Sequence, residues 1–337
     1  MYAIKKTPED FIVKEIAELS LKDAGDYLIY VLKKRNYTVM RAIGQIANVL
    51  RINPKEIGFA GIKDKNAITE QFISIRYARK ENIDRVRLKD ISLEFKGYSD
   101  KPIVLGNLIE NEFIITVRDL TDKEISSLIT KIKNNKKLMM PNLFGEQRFS
   151  EKNTEIGRFL VKCDFENALK TVLETNPDYK EQIEESLERN PKNFVIALKI
   201  IPRRLLMLYV HAYQSFLWNM CLEEYTKKNK KNIEIPIVGF GTEIEDGKID
   251  KIIGKIMKKE KINFRSFINR PIPEISPEGS LRNAFAEIEE LKILEAGKDF
   301  VKLSFKLKKG SYATVAVDFL VSAYILNPLQ LSISFYS

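Results

Sequence analysis

Asp64 stands between two lysines in the run Phe59-Ala60-Gly61-Ile62-Lys63-Asp64-Lys65-Asn66-Ala67-Ile68-Thr69-Glu70-Gln71. An acid in that setting suits nucleophilic or general-base work, because nearby positive charge favours the carboxylate over the neutral acid. Over three residues alone, the same letters would also fit an Asp capping a turn beside solvated lysines. Other chemistries have few carriers. The chain holds one histidine, His211, in a helical run beside aromatic residues where packing is its expected role. Ser–His or Cys–His catalysis would need that one residue, and a zinc site is not expected. Two cysteines, Cys163 and Cys221, make no disulfide framework and lack metal-ligand spacing. Neither a Walker A loop nor a G-x-G-x-x-G fingerprint is present to cradle a nucleotide cofactor. The expectation is therefore no cofactor and no metal, with chemistry left to carboxylates, lysines, amides and aromatic rings.

The elements that must carry Asp64 alternate between strand and helix. Phe11 to Ile16 and Tyr27 to Leu32 are rich in aromatic and β-branched residues, fit for strands. Val39, Ile43, Ile46, Ala47 and Leu50 fall on one helical face. Asn53-Pro54-Lys55-Glu56 reads as a new helix start, with an N-cap and Pro at the first helical position. Strands are expected again at Gln71 to Tyr77 and Phe113 to Arg118, and Asp64 sits on a turn between apolar segments ahead of the first of these. Ile125, Leu128, Ile129 and Ile132 mark a helix opened by Thr121 or Asp122. From about residue 150 the pattern turns helical, over Glu155 to Glu188 and Arg203 to Lys227. A Gly-rich, β-like interval at Ile235 to Gly247 and a basic helical stretch follow. Strand alternation returns at Val301, Leu303, Phe305 and Leu307.

This order fits a mixed α+β body interrupted by a mostly helical insertion. At 337 residues the chain exceeds what a single core usually serves, so two domains are expected. The boundaries read are 1–140 with 287–337 for the body and 141–286 for the insertion. A net charge of +10, from 56 basic and 46 acidic residues, favours a polyanionic partner such as RNA or DNA. Lys- and Glu-rich compositions also mark proteins from hot environments. No segment is apolar enough to span a membrane, and Lys5, Lys6, Glu9 and Asp10 interrupt any secretory leader. A cytoplasmic monomer is expected.

The run at 59–71 resembles, nearly residue for residue, the signature of the TruD family of tRNA pseudouridine synthases, whose nucleophile would fall on Asp64. Five further matches lie along the chain. Lys5-Lys6-Thr7-Pro8-Glu9-Asp10-Phe11 looks like the family's opening motif. Asn111-Glu112-Phe113, at the start of an expected strand, is similar to its Asn-x-Phe element. Pro141-Asn142-Leu143-Phe144-Gly145-Glu146-Gln147-Arg148-Phe149-Ser150 departs mildly, at Leu143 (usually aromatic) and Ser150 (usually glycine). Gln214-Ser215-Phe216-Leu217-Trp218-Asn219 resembles a helix segment in which Ser215 and Asn219, i and i+4, share one stripe. Gly310-Ser311-Tyr312-Ala313-Thr314 matches a C-terminal element. Beyond it Asp318-Phe319 replaces an Arg-Glu pair, and the apolar tail to Ser337 has no counterpart.

The resemblance implies a pseudouridine-synthase-like catalytic domain, with a mixed or antiparallel sheet and flanking helices, plus a TRUD insertion domain facing it across a tRNA-binding cleft. It implies that Lys5 keeps Asp64 charged and oriented, that Phe113 packs on an extruded uracil, and that Asn111 braces the loop. Lys63, Lys65, Gln71, Gln147 and Arg148 are expected to touch RNA. The basic clusters Lys227-Lys228, Lys230-Lys231 and Lys255 to Lys261 would meet phosphates without reading sequence. The substrate implied is tRNA, typically at uridine 13. Two alternatives are a catalytically silent RNA-binding protein on the same scaffold, and a carboxylate-dependent glycosylase that releases the base.

Overall fold

The computed structural model describes residues 2–149 and 152–322. The divergent tail from 323 onward and Ser150 thus lie outside the described residues. The described residues divide into two compact units, one of residues 2–140 and 287–322, the other of residues 141–149 and 152–286.

The first unit is built on strands β1 (Phe11–Ala17), β2 (Tyr27–Arg35), β3 (Ile57–Phe59), β4 (Ile68–Ile75), β5 (Ile91–Ser99), β6 (Leu108–Arg118), β7 (Leu138–Pro141), β10 (Phe285–Ala296) and β11 (Phe300–Lys308). The first seven are joined by helices α1 (Val39–Leu50), α2 (Lys80–Asp84) and α3 (Asp122–Asn134), and α10 (Ala313–Val321) follows β11. The nine strands form one sheet in the order β5-β2-β4-β1-β6-β11-β10-β7, with β3 also paired to β4. It is mixed: β1 runs parallel to β4, while β2–β4, β1–β6 and β6–β11 are antiparallel.

Strand alternation divides the sheet into two faces. One carries Leu28, Tyr30, Leu32 and Lys34 on β2, and Thr69, Gln71, Ile73 and Ile75 on β4. It continues with Phe11, Val13 and Glu15 on β1, Asn111, Phe113 and Ile115 on β6, and Leu303, Phe305 and Leu307 on β11. Helix α1 opens with Thr38 as N-cap, its side chain accepting from the Arg41 amide. Its buried residues Val39, Ala42, Ile43, Ile46 and Ala47 pack on Leu28, Tyr30, Leu32, Ile73 and Ile75. Each valine, leucine or isoleucine among them, fully buried, contributes roughly 1.5–3 kcal/mol. That covers the apolar part of the face on β2 and β4 and leaves the stretch bearing Lys34, Gln71 and Glu15 to the Asp64 loop.

The second unit holds α4 (Asn153–Val161), α5 (Phe165–Thr175), α6 (Lys180–Arg189), α7 (Phe194–Leu198), the long α8 (Arg203–Thr226), α9 (Gly247–Glu260) and a two-stranded ribbon, β8 (Glu234–Ile237) with β9 (Ser280–Asn283). Helices α4 and α8 approach so closely that a Cβ at Gly157 would stand 2.0 Å from the Tyr209 carbonyl oxygen, which restricts the position to glycine. The expected helix start at Asn53 is only a three-residue 3-10 turn, although Asn53 does cap it by accepting from the Lys55 amide.

Candidate active site

The chain leaves β3 at Phe59 alongside Ile73 of β4 and re-enters β4 at Ile68. The segment 60–67 therefore has to double back, and it does so across the sheet face described above. Side chains rising from the face hold it at successive points. Gln71, 1% exposed, donates from Nε2 to the Gly61 carbonyl at 3.2 Å. Glu15 on β1 accepts from Lys63 Nζ at 2.5 Å, with both side chains buried. Lys34 on β2, fully buried, donates to the Asp64 main-chain oxygen at 2.8 Å and to the Tyr37 carbonyl at 2.6 Å. The ends are tied by main-chain bonds, Gly106 to Ala60 at 2.9 Å and Asn36 to Ala67 at 3.3 Å. Gly61 fits its place because a Cβ there would lie 3.0 Å from Leu108 Cδ2 and 3.3 Å from Lys63 Nζ.

The Asp64 carboxylate emerges from this loop with 28% of its side chain exposed. Lys5 Nζ lies 2.7 Å from Asp64 Oδ2 and 4.0 Å from the centre of the Phe11 ring. A near-terminal lysine can hold that position because the segment is anchored. Ala3 exchanges two main-chain bonds with Arg118 at the end of β6, and Arg118 pairs with buried Asp10 at 2.8 Å. Lys5 itself adopts a left-handed backbone, φ 63°, which a lysine takes up at some cost. Burial of Lys34 lowers its pKa to about 8, against the pull of the Asp64 charge and with a push from Lys63.

The aromatic residues make a row beside the pair. Phe11 meets Phe113 edge-on at 6.2 Å, and Phe113 stacks on Phe305 at 5.6 Å. Phe113 is 7% exposed, so the ring expected to pack on a base is largely enclosed by Phe11 and Phe305. Asn111 lies in the middle of β6, not at its start, opposite Glu15. Its Oδ1 is buried and has no hydrogen-bond partner among the described residues, so the side chain does not brace the loop through that atom. Thr69 Oγ1 and Gln71 Oε1, on the same face, are likewise without partners.

Two residues expected at the RNA surface are placed otherwise. Lys63 is 8% exposed and committed to Glu15, and Gln71 is committed to Gly61. Both scaffold the loop, because their positions point into the sheet face instead of away from it. Lys65, by contrast, is exposed. Gln147 and Arg148 belong to the second unit, in a 3-10 turn at Glu146–Phe149. Gln147 is exposed, while Arg148 donates from Nε to Ser215 Oγ at 3.1 Å. The polar stripe of α8 explains that turn: Asn219 accepts from the Phe144 amide at 2.9 Å and donates to its carbonyl at 3.0 Å. His211 is half-buried, bonded to Gln214 at 2.8 Å, and burial lowers its pKa.

Sequence reasoning missed Lys34 and Glu15. Both were signalled by parity, as charged residues at the inward positions of Leu28-Tyr30-Leu32-Lys34 and Phe11-Val13-Glu15. Among the described residues no group of His, Cys, Asp and Glu is arranged to hold a metal ion. No helix among them is long and apolar enough to cross a membrane.

Comparison with known proteins gives concordant matches. The family model for tRNA pseudouridine synthase D (TruD) matches residues 2–186, 175–233 and 223–318. A tRNA pseudouridine synthase D from Aquifex aeolicus is 31% identical over 371 residues, covering 93% of this chain and 96% of that protein. A Nanoarchaeum equitans protein named "Probable tRNA pseudouridine synthase D" is 32% identical, covering 93% and 97%. The chain also superposes on a crystal structure from Methanosarcina mazei described as "Putative tRNA pseudouridine synthase D (TruD)", with TM-score 0.73 and 26% identity, covering 97% of this chain and 94% of that one.

Proposed function

This chain belongs to the tRNA pseudouridine synthase D (TruD) family, and we propose that Asp64 is the carboxylate with which it isomerises a tRNA uridine to pseudouridine. The observation that carries the assignment is the Lys5–Asp64 pair at 2.7 Å, with the carboxylate accessible at the crest of a loop fixed from beneath. The isomerisation breaks the N1–C1′ bond, turns the base and forms a C5–C1′ bond; a proton leaves C5 and one is gained at N1. Atoms and electrons are conserved, so the reaction consumes no oxidant, reductant or co-substrate. Asp64 begins either by attacking C1′ or by removing a sugar proton toward a glycal, and both routes need an ionised, oriented carboxylate. Lys5 supplies the orienting charge.

The aromatic row Phe11, Phe113 and Phe305 forms an apolar support for the flipped base. Asn111 Oδ1 and Gln71 Oε1 are buried acceptors without protein partners, each of which costs about 1–3 kcal/mol when left unpaired. A uracil N–H would relieve that cost, so Asn111 is assigned to the substrate and not to the loop. Exposed Lys65, with Gln147 and the lysines of the second unit, would meet tRNA phosphates. The target is uridine 13 by the family's usual choice.

The test is pseudouridine mapping on an unmodified tRNA transcript incubated with wild type and with Asp64→Asn. Product with the wild type only, and unchanged tRNA affinity in the variant, is the expected result. Equal product from both would refute the role of Asp64. Retained binding with no product from either would favour a silent RNA-binding protein, and released free uracil would favour a glycosylase.

A further inference from the structure

Lys34 differs from the other charged residues of the sheet. It is fully buried, yet among the described residues no carboxylate lies within ion-pairing distance of it. Its ammonium is held instead by two main-chain oxygens, those of Asp64 and of Tyr37, the residue just before the α1 N-cap. An ammonium without a carboxylate partner is costly to bury. A methionine of similar length would fill the space without that cost but would leave both carbonyls without this donor, so what the ammonium adds beyond packing is its hold on the main chain.

We propose that Lys34 is a positioning residue for the reaction, its buried ammonium clamping the main chain at Asp64 to the root of α1 and so setting where the catalytic carboxylate stands. The inference rests on the assignment of Asp64 given above. A charge-assisted donor holds a carbonyl about twice as firmly as a neutral one, and the clamp acts one residue's main chain away from the reacting oxygens. Misplacement of a reacting group by about 1 Å costs roughly a hundredfold in turnover.

The clamp is also sensitive to pH. The charged groups facing Lys34 are Asp64, which favours its protonation, and Lys63, which opposes it and is itself paired with Glu15. Opposite it in the sheet, β4 presents Thr69 and β5 presents Ile91, neither of which titrates. With a pKa of about 8, only about a tenth of the molecules keep the ammonium at pH 9, whereas nearly all do at pH 7.

The experiment is single-turnover pseudouridine formation from pH 6.5 to 9.5 by wild type, Lys34→Met and Lys34→Arg, with tRNA affinity measured alongside. The wild-type rate should fall to about a tenth between pH 7 and 9 while affinity stays nearly constant. Lys34→Met should be slower by roughly a hundredfold at pH 7, with affinity within about threefold. Both variants should lose the alkaline fall, since neither side chain titrates in that range. A wild-type rate flat to pH 9, or the same fall persisting in either variant, would overturn the proposal. Should Lys34→Met not fold, the wild-type and Lys34→Arg profiles decide it alone. Absence of product from wild type would remove the assignment of Asp64 and the role of Lys34 together; normal wild-type product with an unaltered Lys34→Met would defeat the clamp only.

Discussion

Lys63→Met separates two readings of the loop. If Lys63 faces RNA, the substitution costs affinity and no stability. If it is buried against Glu15, with side chains 7% and 0% exposed at 2.5 Å, the substitution strands a carboxylate inside the protein. Removing one partner of such a pair destabilises by about 3–5 kcal/mol, because the remaining charge has neither water nor a counter-ion. At about 2–4 °C per kcal/mol for a unit of this size, the melting temperature should fall by roughly 6–20 °C. The second substitution, Glu15→Gln, should restore part of that loss in the double variant by removing the stranded charge. Exposed Lys65→Met is the internal control, with an expected effect within about 0.5 kcal/mol. Thermal melts by circular dichroism, with tRNA affinity measured against salt, read both quantities. Lys65→Met should lower the slope of log K against log salt by about 1, and Lys63→Met should leave it unchanged. A Lys63→Met protein melting within about 2 °C of wild type, with its salt slope reduced, would refute the buried placement.

Lys248, Lys251, Lys255 and Lys258 recur at helical spacing on α9 and are all exposed, so they form one basic stripe. Replacing Lys251, Lys255 and Lys258 by Gln should lower the salt slope of tRNA binding by about 3, one per lost phosphate contact, and an unchanged slope would show the stripe to be merely solvated. On α8, burial pushes Glu223 up to about 7, with Lys227 pulling the other way. The folded state therefore keeps a proton that the unfolded chain releases near pH 4.5, and stability falls as pH rises from there through about 7. Glu223→Gln should melt above wild type at pH 8 and level with it at pH 4; equal melting at pH 8 would argue against a raised carboxyl.

Much of the frame was legible because local pattern and tertiary structure agree. The alternation of Val301, Leu303, Phe305 and Leu307 is β11, and Thr121 caps α3 with Glu124 completing the box. The strands at Ile91–Ser99 and Phe285–Ala296 were missed, since their outward positions are charged and little of either strand is buried. The helical periodicity read over Glu155 to Glu188 belongs to three helices, parted at Cys163 in a left-handed turn and at Asn176-Pro177. Asp64 and Lys5 were found by resemblance, but what holds them is non-local. Ala3 must meet Arg118, and Glu15, Lys34 and Gln71 must come side by side from three strands. Parity marks each of those residues as inward; only strand order makes them neighbours.

The polar face under the Asp64 loop answers a problem the topology creates. A segment laid across a sheet face cannot join the ladder, so its carbonyls need donors from elsewhere or remain unsatisfied at about 1–3 kcal/mol each. Gln71 and Lys34 supply donors to Gly61 and Asp64, and those same carbonyls satisfy side chains that would otherwise be costly to bury. Each group is the other's compensation, which makes the arrangement all-or-none: an apolar replacement on the sheet leaves a carbonyl bare, and a shifted loop leaves an ammonium or amide bare. Such coupling confines the loop to one geometry more strictly than apolar packing would. A carboxylate that must meet a sugar carbon at a fixed distance benefits from that restriction, which Lys34 and the Lys63–Glu15 pair impose from beneath the loop. Substitutions at Glu15, Lys34 or Lys63 should therefore act on turnover through the position of Asp64 while leaving the tRNA-facing surface intact.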